Sequence, residues 1–208
     1  MKALAITDHG PCLQGRDCSV VFDRLHDPVE GIRFLKGMEC NLGSSQGSID
    51  VPRDVLPWLD IVLLGIHPNT ERGLAVSTYT NMLISAIERN PHIDIITHPN
   101  DQNYKVDFRA LAQAAREHGV AIELNNSKTM LKRVPDKITL ELIEACAEAG
   151  CSMAVCSDAH AINELGRNED VLPLLKQAGF PRELVINDIA ERAFAFIESR
   201  RGRKTAAL

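Results

Sequence analysis

The sequence contains no run approaching the ~18 consecutive apolar residues of a membrane span, which excludes a helical membrane protein as the expected reading. Its opening, Met1-Lys2-Ala3-Leu4-Ala5-Ile6, is apolar for only a few residues before polar Thr7-Asp8-His9. That is too short for a secretory core, so a cytoplasmic protein is expected. Positive charge is not in excess either. A net charge of -5 gives no electrostatic reason to expect a nucleic-acid partner. The one basic cluster, Arg200, Arg201, Arg203 and Lys204 beside Gly202, reads as a frayed, solvated end, with 201–208 a disordered basic tail. Six cysteines in 208 residues do not make a disulfide framework, and none forms a Cys-x-x-Cys pair that would suggest a thiolate zinc site. Cys146, Cys151 and Cys156 read as small core residues. Low-complexity linkers and internal repeats are also missing, so residues 1–200 are expected to form a single domain.

What is present is an alternation of short apolar runs and longer amphipathic ones. Ala3–Ile6, Ile32–Leu35, Ile61–Gly65, Ile93–Ile96, Val120–Leu124 and Met153–Cys156 have the length and composition of strands buried on both faces, with a weaker Leu184–Ile186. Helical periodicity lies between them. Asp107 precedes a run with Phe108, Leu111, Ala112 and Ala115 on one face, ending near Gly119. Further helices are predicted over about Val76–Arg89, Lys137–Ala149, Glu164–Ala178 with an interruption near Pro173, and Ile189–Ser199. Strand–helix alternation predicts a parallel α/β fold, either an open sheet or a barrel. Two long connections, Gly10 to Gly31 and Asn41 to Pro57, are rich in Gly, Pro, Asp and Ser and are expected to cover a site.

The chemistry is carried by the residues just past the strand ends. Ala3–Ile6 runs into Asp8-His9, and the second strand into Gly37-Met38-Glu39. The next two run into His67-Pro68 and His98-Pro99, and the last into Asp158-Ala159-His160. In parallel α/β folds the C-terminal strand ends share one face, where active sites form. Imidazoles and carboxylates gathered there suit divalent zinc, manganese or iron, and a bridging carboxylate can hold two ions together. Water on such an ion has a pKa near ~7 rather than ~15.7, which makes a nucleophile available at neutral pH. Any one of these histidines alone would be an ordinary loop residue; the repetition over five strands is the signal.

At these residues the chain resembles the PHP (polymerase and histidinol phosphatase) family, in its YcdX-type bacterial phosphatase branch. The resemblance rests on Ile6-Thr7-Asp8-His9-Gly10, Gly37-Met38-Glu39-Cys40-Asn41, Gly65-Ile66-His67, Thr97-His98-Pro99, Glu123-Leu124-Asn125-Asn126-Ser127 and Cys156-Ser157-Asp158-Ala159-His160, in that order. It implies a distorted, TIM-like (βα)7 barrel with up to three divalent ions, zinc first among them, that hydrolyses small phosphorylated substrates. Glu39 would bridge two ions, with His67 and His98 as ligands of one and Asp158 of the other. His9 and His160 would hold the third. Asn125 and Asn126 would make loop hydrogen bonds near the site.

The family opens with a strand ending in His-x-His, whereas this chain begins at what corresponds to the second strand. The expectation is therefore a barrel short of its first strand, in which only the ion at Glu39, His67 and His98 keeps all its protein ligands. Weak phosphatase activity and either poor stability or a homo-oligomer are expected from the exposed edge. Competing readings are a metal-dependent amide hydrolase on a similar barrel and a non-catalytic metal-binding remnant.

Overall fold

Six of the apolar runs become strands: β1 (Ala3–Ile6), β2 (Arg33–Asn41), β3 (Ile61–Gly65), β4 (Ile95–Ile96), β5 (Ala121–Asn125) and β6 (Met153–Cys156). They come from a computed structural model that describes residues 1–14, 30–43 and 46–206, with 14 and 202–206 given by backbone alone. Most of the predicted Gly10–Gly31 connection lies outside these residues. Every pairing is parallel and follows chain order, β1-β2-β3-β4-β5-β6. The result is an open, curled half-barrel flanked by helices, an α/β fold but not a closed barrel.

The helices are α1 (Pro11–Gln14), α2 (Val76–Arg89), α3 (Phe108–His118), α4 (Asn126–Met130), α5 (Asp136–Ala149), α6 (Leu172–Gln177) and α7 (Ala190–Ala206). Local chemistry sets the ends of α3: the Asp107 carboxylate accepts from the N–H groups of Arg109 and Ala110, and Gly119 closes the helix at φ 64°. The predicted Glu164–Ala178 helix is shorter than expected. A single turn at Ile162–Glu164 is followed by a loop, and α6 begins only at Leu172, with Pro173 in its first turn. Proline lacks the N–H an interior position needs and is tolerated there.

Alternate strand residues face opposite sides of the sheet. Met38, Cys40, Val62, Leu64, Ile96, Ile122, Leu124, Met153 and Val155 face the helices and form the main core with Tyr79, Leu83, Leu111, Leu142 and Ile143. The concave face is divided along the strands. Towards the N-terminal ends it is apolar, with Ile61, Leu63, Ile95, Ala121 and Ala154 under Phe196 and Ile186. Towards the C-terminal ends, the same alternation presents Glu39, Gly65, Glu123, Asn125 and Cys156. Strand register thus gathers the ligand-type side chains of the strands at the C-terminal end of the concave face.

The sheet's two edges differ. Among the described residues β1 pairs only with β2, and its side chains are half-buried or exposed. Beyond β6 the weak strand predicted at Leu184–Ile186 is a 3-10 turn, Arg182–Leu184, followed by a single bridge between Met153 and Val185. The Asn187 side chain then completes the ladder: it accepts from the Val155 N–H at 2.9 Å and donates to the Val155 carbonyl at 2.7 Å.

The expected solvated C-terminus is corrected at Arg200. Helix α7 continues through Ala206, and Arg200 is only 2% exposed at the N-terminal end of the half-barrel. Its guanidinium donates to Asp94 Oδ1 at 3.0 Å and to the carbonyls of Pro91, Ile93, His118 and Gly119. Asp94 Oδ2 accepts from the Val62 N–H at 2.8 Å. Arg201, one residue on, pairs with Asp60 at 2.7 Å.

Candidate metal centre

Glu39 sits at the C-terminal end of β2, where parallel register sets it beside Leu63 of β3 and carries His67 and His98 in on the loops that follow β3 and β4. Glu39 Oε1 lies 3.0 Å from His67 Nε2 and 3.0 Å from His98 Nε2, and the two nitrogens are 3.3 Å apart. The Thr97 hydroxyl donates to the same Oε1 at 2.9 Å. On the other side, His9 Nδ1 is 3.7 Å from Glu39 Oε2, and its ring meets that of His67 edge-on at 4.6 Å. Ligand atoms of His9, Glu39 and His67 all fall within 4.8 Å of one another.

These positions suit a cation. Ligands held about 2.0–2.1 Å from a tetrahedral ion are about 3.3–3.4 Å from each other. The triangle of Glu39 Oε1, His67 Nε2 and His98 Nε2 is of that size. Within this cluster, among the described residues, His9 Nδ1 and His67 Nδ1 are buried without a hydrogen-bond partner. Gly65 provides room at the end of β3: a Cβ there would collide with the His67 ring and the Thr97 hydroxyl.

Electrostatics mark the same cluster. Burial is the largest influence on each member, pushing Glu39 up and both imidazoles down. Hydrogen bonds from His67 and His98 outweigh it at Glu39 and hold that carboxyl well below its ordinary value. His98 is raised, because its bond and attraction to Glu39 exceed its burial cost, whereas burial prevails at His67 and lowers it.

Asp158 and His160 stand apart from this group at the end of β6. Asp158 accepts from the Asn125 amide at 3.1 Å, and His160, with its side chain 75% exposed, bonds through Nδ1 to the Asp158 carbonyl at 3.0 Å. Among the described residues nothing joins His160 to His9. Asn126 makes the loop contacts expected of it, accepting from the Asp170 and Val171 N–H groups.

Three further residues shape the site although the sequence reading gave them no role in it. Asp50 ties the end of β2 to α1, accepting from Asn41 N at 2.7 Å, Asn41 Nδ2 at 2.6 Å and Cys12 N at 3.0 Å. Lys128 pairs with Asp101 at 3.0 Å, and its charge reaches His98. The third is Glu123, whose carboxyl accepts from the His98 N–H at 2.8 Å and from Asn125 Nδ2 at 3.2 Å. Glu39 lies on β2 and Thr97 just past β4, so only register joins them; Glu123 was visible as a carboxylate inside an apolar strand, at odds with its surroundings.

Burial pushes the Glu123 carboxyl up from 4.5 to about 7; His98 opposes this, and the charges of Glu39 and Asp158 reinforce it. Folded Glu123 therefore keeps a proton that the unfolded chain has already released, and the folded state binds more protons between pH 4.5 and about 7. Stability must fall as pH rises through that window. Glu123→Gln is expected to remove about 2 kcal/mol of this fall between pH 5 and pH 7. Urea unfolding of both proteins at pH 5 and pH 7, with a chelator present, measures it; parallel pH dependences contradict the assignment.

Comparison with known proteins places this cluster in context. No family model matches the chain. A probable phosphatase of Caldanaerobacter subterraneus subsp. tengcongensis is 35% identical over 208 residues, covering 98% of this chain and 82% of the relative. A probable phosphatase of Shewanella sediminis is 36% identical, covering 99% of this chain and 84% of its own. Among solved structures, a chain of an archaeal ribonuclease P determined by cryo-EM with mature tRNA aligns with TM-score 0.57 at 17% identity, over 96% of this chain and 82% of that one. That likeness concerns the fold alone. At more than a third identity over nearly its whole length, the chain belongs to the family of these probable phosphatases.

Proposed function

We propose that this protein is a metal-dependent phosphoesterase of the PHP type, acting on small phosphate monoesters. The observation that carries the reading is the triangle of Glu39 Oε1, His67 Nε2 and His98 Nε2, with edges of 3.0, 3.0 and 3.3 Å, in a relative of probable phosphatases. These three residues would hold one divalent ion, zinc, manganese or iron being suited to a site of imidazole and carboxylate. His9 on the far oxygen of Glu39, with Asp158 and His160 at the next strand end, would supply ligands for further ions. The chemistry supplied at a site held by these residues would be a water made nucleophilic at neutral pH and neutralisation of charge on the phosphoryl oxygens.

The chain's own groups have definable tasks. Glu39 presents one carboxylate oxygen to each side of the cluster, which suits a bridging role. Thr97 fixes Oε1 by donating to it. Lys128, half of an ion pair with side chains 16% and 18% exposed, is a mostly buried cation whose charge reaches His98, and it offers attraction to an anionic substrate at the rim. The test is phosphate release from p-nitrophenyl phosphate beside amide hydrolysis of a p-nitroanilide panel. The expected outcome is turnover of the phosphate ester that EDTA removes and zinc or manganese restores. Chelator-insensitive turnover, or amide cleavage without phosphate release, overturns the proposal.

A further inference from the structure

Among the described residues only three outside glycine adopt positive φ: His98 at 29°, Asp158 at 48° and Lys132 at 54°. Two of the three are proposed ligands. A non-glycine residue holds such a conformation only where its surroundings fix it. For His98 and Asp158 those surroundings converge on one strand, β5, which contributes no ligand to the cluster.

Glu123, 4% exposed and facing the concave side, accepts the backbone N–H of His98 at 2.8 Å. Asn125, two residues on and therefore on the same face, is 2% exposed. Its Oδ1 accepts from the Lys128 N–H at 2.9 Å and caps α4. That bond fixes the amide's orientation, so Nδ2 is turned to donate to Glu123 Oε2 at 3.2 Å and Asp158 Oδ2 at 3.1 Å. One chain of hydrogen bonds therefore runs from the His98 backbone through Glu123 and Asn125 to the Asp158 carboxylate.

Resting on the metal reading above, we propose that Glu123 and Asn125 form a positioning unit that sets His98 and Asp158 together for ion binding. The unit acts at the backbone of one ligand and the side chain of the other. It holds the His98 main chain where the ring reaches Glu39, and it holds Asp158 Oδ2 where the strand end alone would leave it free to rotate. Groups that orient ligands in this way are commonly worth 10–100-fold in metal affinity. Glutamine at position 123 would preserve the arrangement, since its oxygen still accepts from His98 and Asn125. Alanine would leave both without a partner.

The experiment is zinc affinity, measured by competition with a chromophoric chelator, for the wild type and for Glu123→Ala, Glu123→Gln and Asn125→Ser. Serine at 125 still caps α4 but offers no amide to the two carboxylates. Glu123→Ala and Asn125→Ser are each expected to lose about 10–100-fold in affinity, with Glu123→Gln within about threefold of wild type, an order-of-magnitude allowance for a retained hydrogen bond. If Glu123→Ala does not fold, Asn125→Ser decides the matter. Unchanged affinity in Asn125→Ser overturns the proposal. So does equal loss in Glu123→Gln and Glu123→Ala, because then the carboxylate's charge matters and its hydrogen bonds do not. A wild type that binds no zinc refutes the metal reading itself, an outcome distinct from either.

Discussion

Replacing Arg200 by alanine is expected to destabilise the protein by about 3–5 kcal/mol, the usual consequence of removing one partner of a buried ion pair. Both side chains are almost sealed from water, at 3% and 2% exposure. The loss has two sources. Asp94 keeps its bond from the Val62 N–H but faces no guanidinium, so a carboxylate is left buried without its counter-charge. In addition, carbonyls of Pro91, Ile93, His118 and Gly119 lose their donor at the strand ends that α7 covers. Chemical unfolding of Arg200→Ala measures the total. Adding Asp94→Asn should recover part of it, since a neutral amide tolerates burial better than an unpaired charge. A loss below about 1 kcal/mol, the level of a surface ion pair, contradicts the description of α7 as an anchored element.

The second large effect is expected at Glu39. Glu39→Gln keeps the side chain's shape and one carbonyl oxygen but removes the charge and one of the two oxygens that face the cluster's opposite sides. Phosphoester turnover is expected to fall by at least the order of 10²–10³ that a single preorganised electrostatic group supplies. The alternative is that Glu39 only braces His67 and His98, both of which it bonds at 3.0 Å. Glutamine would then suffice for much of the bracing, and turnover would drop only severalfold. Initial rates at saturating zinc and at saturating manganese separate the two cases, because a structural role leaves activity recoverable at high metal.

How much of this was legible in the sequence depends on how far apart the cooperating residues lie. Strands Ala3–Ile6, Ile61–Gly65 and Met153–Cys156 and helix Val76–Arg89 appear with the expected bounds, because apolar runs and 3.6-residue periodicity are local signals. Helix Phe108–His118 was equally readable, its aspartate cap and left-handed glycine end being written into the residues at its termini. Four ligand-type residues, His9, Glu39, His67 and His98, could be brought to one face from strand order alone, since parallel strands end together. The missing information is long-range. Arg200 looked like part of a basic tail because its partner Asp94 lies 106 positions earlier in the chain. Leu184–Ile186 carries strand-like residues, yet the preceding 3-10 turn and Asn187 reduce it to one bridge. Glu123 and Asn125 lie in a segment that carries the family resemblance, and Asn125 was expected to make loop hydrogen bonds near the site, but their connection to His98 and Asp158 appears only once three strand ends are in register.

The central claim, that Glu39, His67 and His98 together hold a divalent ion, is tested most directly by metal content. Purified wild-type protein and the triple variant Glu39→Ala, His67→Ala, His98→Ala are dialysed against the same zinc-containing buffer and analysed by inductively coupled plasma mass spectrometry. The expected result is a loss of at least about one ion per chain in the triple variant, its circular dichroism spectrum unchanged, since three ligands from one coordination shell are removed together. Equal zinc content in the two proteins contradicts the account.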